Sequence, residues 1–300
     1  MRKKSINDKY IDMKSKGPFQ KKVKPLSFKD KCLLSFGLLI LLPVRTFLFF
    51  IIILLGWFIS RVGLLGLDES RPATGFVRML QQINYSLFRI IIRVCFGFFC
   101  PKVKGTFLPA NEVPVVVVAP HTSFFDAWVV AWIARQGFCS SLVREESQKS
   151  LFLGPILRFQ QYLFVRRSSE SSRAETVKSI LERSSDKDWG RLVIFPEGTT
   201  TDGTELLPFK KGGFLAERVH PVLVRYPNRV DCTTWARGEG VKFAIMDTVM
   251  AMATLYNRAE MEILPALEAK EGPEEFSDRT RRVMGEQLGI SVVDDNNSQV

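Results

Sequence analysis

An α/β sandwich around a largely buried mixed sheet, preceded by an N-terminal membrane-embedded helical segment, is the fold class that this 300-residue sequence predicts. Three observations predict it. Short β-branched runs such as VPVVVVA and LVIF alternate with helical stretches from Val113 onward, the pattern of strands and helices that share one sheet. The 29-residue run 32–60 carries a single charge, Arg45. Positive charge is gathered ahead of that run: residues 1–31 hold 11 Lys/Arg against 3 Asp/Glu, which is +8 of the net +11.

Composition narrows the function classes. Hydrophobic residues make up 46% and charged residues 24%, which excludes wholesale disorder. Only two His are present, His121 and His220, so a site built on several His ligands is excluded. The five Cys (32, 95, 100, 139 and 232) form no CxxC pair. An odd, scattered set argues against a disulfide framework and a zinc site, and free thiols point to a reducing compartment or a cytosol-facing membrane protein. No metal site is expected.

The elements follow in order. Residues 1–31 read as a basic disordered arm, either a solvated tail or a segment attracted to an anionic membrane surface. The arm has few aromatics and no reader motif beside it, so nucleic-acid binding is not implied. Residues 32–66 read as a membrane anchor. As one helix, 32–60 would span roughly 43 Å against a hydrocarbon core of about 30 Å, with Pro43 and Arg45 near its middle. Two geometries fit: a single tilted span beginning near Arg45, or a re-entrant pair of half-helices hinged near Pro43. The run starts too late and is too long for a secretory signal peptide. Residues 67–100 read as interfacial amphipathic helices. In the stretch 87–100 (LFRIIIRVCFGFFC), Arg89 and Arg93 share one helix face. A core helix with a two-Arg rim fits the same pattern. Cys95 and Cys100 are candidates for lipidation.

Residues 101–290 read as the catalytic-sized domain. Strands are predicted at 113–119, 142–144, 162–165, 192–195, 219–225 and 261–264. Helices are predicted at 127–134, 172–183, 244–257 and 276–288, the last ended by Gly289, with a helix start at 150–159 interrupted by Gly154-Pro155. Residues 291–300 are a polar tail.

The candidate chemistry lies at strand ends, where α/β sheets gather their binding groups. VPVVVVA runs into PHTSFFD. Ser123 is a good N-cap for a helix opening there, His121 sits in the turn, and Asp126 falls in the first helical turns. A chain folding back at that point brings the carboxylate to one imidazole nitrogen and leaves the other facing a cleft as a general base. After LVIF comes PEGTTTDG, a turn with two glycines and three hydroxyls that can present donors to a phosphate or glycerol. Lys210 and Lys211 follow in PFKKGGF. Arg166 and Arg167 close LFVRR, two guanidiniums where a phosphate could be gripped.

The ordered series PHTSFFD, LFVRR, FPEGT and VHPVLVRYP resembles the four motif blocks of the glycerolipid (PlsC-like) acyltransferase family, and most of all its lysophosphatidylcholine/lysophospholipid acyltransferase branch. The Pro before the motif His, the EGTTTDG turn and VLVRYPN favour that branch. The resemblance covers roughly residues 100–290. It implies a glycerolipid-acyltransferase-like sandwich with His121 as general base and Asp126 as its orienting partner. Glu197, Gly198 and Thr199 would lie in the acyl-acceptor site. Arg167 would bind phosphate with Arg166 as an extra charge, Lys210 would be the basic residue after the turn, and Pro221 would shape the fourth block. The implied reaction moves a fatty acyl group from acyl-CoA, a co-substrate, to the free hydroxyl of a lysophospholipid at a lipid bilayer, with no cofactor. Lysophosphatidic acid or glycerol 3-phosphate acylation on the same fold, a catalytically silent lipid-binding protein and an acyl-CoA thioesterase are the alternatives. The resemblance also implies the endoplasmic reticulum membrane with a cytosolic active site, which favours the re-entrant hairpin. Two departures stand out. GGFLAERVHP is shorter and more charged than usual between blocks three and four, and no EF-hand pattern is present, so calcium regulation is not implied.

Overall fold

A computed structural model describes residues 25–166, 170–235 and 241–292. Most of the basic arm and of the polar tail therefore lies outside the described residues, as does Arg167.

The sheet is built on β2 (Val115–Ala119), whose five side chains are all buried. Val116 and Val118 face one hydrophobic cluster, and Val115, Val117 and Ala119 face another. A continuous apolar run is what a strand covered on both faces requires. Parallel to β2 lie β5 (Arg191–Ile194) on one side and β7 (Arg218–Arg225) on the other. Beyond β5 come β3 (Cys139–Arg144) and β4 (Leu163–Val165), both parallel. β8 (Glu260–Ile263) pairs antiparallel with β7, and β1 (Lys102–Lys104) closes that edge. β6 (Glu205–Leu206), β9 (Leu267–Glu268) and β10 (Ser291–Val292) are two-residue pieces. The order is thus β1-β8-β7-β2-β5-β3-β4, a mixed sheet as expected.

Helices cover both faces. α3 (Ala127–Ile133) lies in the first cluster, and α7 (Pro273–Leu288) contributes Phe276 and Met284 to the second. α5 (Glu170–Ser185) brings Ile180 to the second cluster. Gly289 ends α7 in the left-handed conformation, φ +69, a routine glycine role. α4 (Leu153–Phe159) corrects one expectation. Gly154-Pro155 does not break it but occupies its first turn, where a missing N–H costs no helical bond.

The N-terminal segment is the main departure. α1 runs unbroken from Phe28 to Leu64, 37 residues, with mean hydropathy 2.8 over its most apolar window. It is long and apolar enough to cross a membrane. Ser27 and Asp30 form a reciprocal capping box at its start. Pro43 does not hinge a hairpin. A π turn at Gly37–Leu41 precedes it and Pro43 falls in the first turn of the α-helix Leu42–Leu64, so the missing N–H is absorbed without reversing the chain.

Nor does α1 leave the domain. Leu42, Leu48, Phe49, Ile52 and Ile53 pack on the first cluster. Asn84 of α2 (Gly75–Ile90) donates to Ser60 Oγ at 2.6 Å. A Cβ at Gly63 would lie 2.2 Å from the Phe159 ring of α4. From Gly37 to Gly63, about 39 Å of helix, one face is laid against the domain. The other face, with Leu39, Phe47, Phe50, Leu54, Phe58 and Val62, is exposed. Arg45 is buried, its guanidinium turned inward.

The stretch 87–100 goes the same way. Ile91, Ile92, Cys95, Phe96 and Phe98 are buried in the first cluster, and Arg89 donates to the Ala131 carbonyl. Its inward side is a core helix end with an arginine rim, Ile90, Val94 and Phe99 are exposed, and Cys95 is closed to lipidation.

Candidate active site

β2 ends at Ala119, the Ala119–Pro120 peptide is cis, and His121 follows at the carboxyl edge of the sheet. Ser123 caps the next helical turn as expected. Its Oγ accepts from Phe125 N, and Asp126 answers with a bond to Ser123 N at 3.1 Å. This capping box is what folds Asp126 back. Asp126 Oδ2 meets His121 Nδ1 at 2.7 Å and also accepts from Thr122 N at 2.8 Å. A carboxylate accepts only, so Nδ1 carries the proton and Nε2 keeps a lone pair. Among the described residues nothing bonds to Nε2, and the His121 side chain is 21% exposed while Asp126 is 0% exposed. One face of the ring stacks on Phe195, centroids 4.4 Å apart.

Sequence reasoning missed the next partner. Tyr226 Oη donates to Asp126 Oδ1 at 2.5 Å and accepts from Trp128 Nε1 at 2.9 Å. Burial, and then the Asp126 charge, push the Tyr226 phenol well up, so it stays a donor. Tyr226 follows β7 in the quoted VLVRYPN, 100 residues from Asp126.

The PEGTTTDG turn folds onto the same loop because β5 lies beside β2, with Val117 level with Ile194. Thr201 N donates to His121 O at 2.9 Å. Glu197 Oε1 accepts from His121 N at 2.7 Å and its Oε2 from Leu207 N at 3.2 Å, and it is buried. Through those two bonds it braces the His121 loop. Burial pushes its carboxyl up to about 7 despite those two N–H donors.

Gly198 sits at φ +66, and a Cβ there would lie 2.8 Å from Lys210 Cε and 2.9 Å from its Nζ. The Lys210 ammonium therefore passes close over the EGT turn, and glycine makes room for it. Thr199 is half-buried beside it. Arg166 is not drawn in. It is exposed and makes a two-point pair with Glu145, Nε to Oε2 at 2.7 Å. β4 also stands three strands from β2, roughly 14 Å at ordinary strand spacing. The other histidine, His220, is a core residue. Its Nε2 accepts from Leu108 N at 3.0 Å and its Nδ1 faces the Leu264 carbonyl at 3.3 Å. Among the described residues no cluster of His, Cys, Asp and Glu could hold a metal ion.

The arrangement can draw a proton onto Nε2 while a buried carboxylate stabilises the charge that forms, beside a cationic, glycine-containing turn. Residues 100–224 match the Acyltransferase family. Lysophosphatidylcholine acyltransferase 2 of Homo sapiens is 35% identical over 266 residues, covering 85% of this chain and 47% of that protein. Lysophosphatidylcholine acyltransferase of Drosophila melanogaster is 33% identical over 267 residues, covering 85% and 49%. The chain thus spans about half the length of the curated relatives it matches. The crystal structure of the 1-acyl-sn-glycerophosphate (LPA) acyltransferase PlsC from Thermotoga maritima shares the fold, with TM-score 0.55 and 16% identity over 85% of this chain and 98% of that one. Residues 100–224 thus match the Acyltransferase family, and the chain as a whole is similar to the lysophosphatidylcholine acyltransferases.

Proposed function

We propose that this chain moves a fatty acyl group from acyl-CoA to the free hydroxyl of a lysophospholipid. The observation that carries the reading is the open Nε2 of His121, with Nδ1 fixed by a buried Asp126 at the carboxyl end of β2. Nε2 takes the hydroxyl proton as that oxygen attacks the thioester carbonyl. The tetrahedral intermediate collapses, the C–S bond breaks, and the imidazolium returns its proton to the departing CoA sulfur. No acyl-enzyme forms and no cofactor takes part. Lys210 over Gly198 meets the acceptor phosphate, with Thr199 beside it.

Where this happens follows from α1. Its outward face is apolar for most of its length while its inward face is fixed to the domain. Crossing the bilayer would drag the domain in with it. The helix instead lies in one leaflet, apolar face down, and holds the site at the membrane surface. Arm and active site then share one side, the cytosolic face of the endoplasmic reticulum, where acyl-CoA is at hand.

A panel of lyso-acceptors with one acyl-CoA tests the reading. Transfer to lysophosphatidylcholine or its relatives is expected. Transfer only to lysophosphatidic acid or glycerol 3-phosphate would move the acceptor. CoA release without any acceptor would make the chain a thioesterase, and no release at all a lipid-binding protein.

A further inference from the structure

We propose that α6 (Val241–Ala253) is a second membrane-embedded element, seated among lipid acyl chains beside α1 and pinned there by Arg45 and Gly37. The inference rests on the membrane reading of α1 given above.

The sequence of α6 is VKFAIMDTVMAMA, with Lys242 and Asp247 its only charges. Its apolar residues are not confined to one stripe. A helix that is apolar all round belongs in a core or in lipid, and α6 is not enclosed. Ile245 is 59% and Met246 50% exposed, while Asp247, Ala251, Met252 and Ala253 are buried. A water-facing helix shows the opposite order, carboxylate out and Ile-Met in.

The carboxyl end of α6 gives the second observation. The last carbonyls of a helix have no partner within it, and water usually serves them. Here Arg45 Nη1 donates to Met252 O at 2.8 Å and Thr254 O at 2.6 Å, and Nη2 donates to Leu255 O at 3.0 Å. In hydrocarbon every backbone polar group has to be satisfied by protein. One guanidinium satisfies three carbonyls, and its charge meets the negative end of the α6 dipole. The one charge in 32–60 and the exposed polar end of α6 are thereby hidden together. A third feature lets them meet. A Cβ at Gly37 would lie 1.6 Å from Ala253 O, so only glycine admits the end of α6 against α1.

Just past α6, Leu255 and Tyr256 are exposed and the Arg258 guanidinium lies 5.4 Å from the Tyr256 ring centre. Tyrosine with arginine marks the level where a chain leaves the acyl zone. An open groove of about 390 Å³ beside it is lined by Lys29, Asp30, Asn228, Arg229 and Arg258, with Arg229 paired to Asp30 at 2.9 Å, a charged rim of the kind a headgroup layer meets. At 13 residues α6 is about 20 Å long, short of a crossing, so it dips into one leaflet. Trp235, six residues ahead of α6 in the sequence, donates its backbone N–H to Thr122 O at 2.7 Å.

The test uses the full chain in phosphatidylcholine vesicles, with exposed Cys32 and Cys100 changed to Ser. An environment-sensitive fluorophore is placed by Phe50→Cys on α1, by Ile245→Cys on α6, or by Lys178→Cys on α5 as the aqueous reference. Nitroxide groups on the lipid acyl chains are the quencher. The expected result is that both the 50 and the 245 probes lose at least half their emission relative to the reference. Quenching at 50 with none at 245 overturns the proposal and leaves the membrane reading of α1 intact. Quenching at neither overturns both. A blue-shifted but unquenched 245 probe means protein covers α6, which also overturns it. With Arg45→Ala, quenching at 245 is lost and quenching at 50 is kept, while Arg45→Lys restores part of it. Unchanged quenching at 245 in Arg45→Ala means Arg45 does not pin α6.

Discussion

One of the chain's two histidines follows the carboxyl end of β2 and the other lies inside β7, and they are put to opposite uses. His220 sits level with Val116, its two nitrogens facing backbone groups of Leu108 and Leu264, and burial pulls its pKa down. His121 sits beyond the last strand residue, one nitrogen fixed by a carboxylate and the other open. Both rings lean on a phenylalanine, Phe107 and Phe195. The difference is whether the second nitrogen already has a partner: His220 lies inside a strand, buried where backbone groups meet both nitrogens, and His121 lies two residues past the end of one, 21% exposed.

The comparison is broken most directly at His121. His121→Ala is expected to lower kcat about 10³-fold with membrane association intact, measured as acyl transfer and vesicle flotation. Next comes Tyr226. Tyr226→Phe removes the donor to Asp126 Oδ1, and kcat is expected to fall about tenfold with KM little changed. A rise in KM alone would make Tyr226 part of substrate binding. His220→Ala is expected to cost about 1–3 kcal/mol of stability, read from thermal unfolding in detergent, while turnover per folded molecule is retained.

Glu197 sharpens the contrast by pH. Its folded carboxyl titrates near 7 and an unfolded one near 4.5. Between those values the folded chain holds a proton that the unfolded chain gives up. Its stabilising contribution is full below 4.5 and is lost as pH rises to about 7. Glu197→Gln is expected to flatten the fall in melting temperature across that window, and an unchanged slope would mean the carboxyl is ionised throughout. The smallest effect belongs to Arg166→Ala. An exposed ion pair is worth about 0–1 kcal/mol, so activity is expected to stay within about twofold. A large rise in KM would return Arg166 to the phosphate site.

Much of this was legible in the sequence, and for a physical reason. β2, the Ser123 cap and the fold-back of Asp126 are local: a β-branched run, a hydroxyl at the right place and a carboxylate three residues on. The EGT turn came to His121 because adjacent parallel strands end on the same edge. What was not legible is set by distant partners. Tyr226 reaches Asp126 across 100 residues, Glu197 turns its oxygens to two backbone amides, and Arg166 finds Glu145 before any phosphate. Arg45 looked like an obstacle to a membrane helix because its three carbonyl partners lie more than 200 residues away. Side-on docking of α1 was hidden for the same cause, since Gly37, Gly56 and Gly63 read as ordinary apolar-run residues until their neighbours are known.

The most direct measurement is CoA release from an acyl-CoA by the membrane-bound chain, with and without lysophosphatidylcholine, for the parent sequence and His121→Ala. The account predicts release that requires the acceptor, matches diacyl product one for one and disappears with His121→Ala. Equal release without acceptor, or turnover that survives His121→Ala, would contradict it.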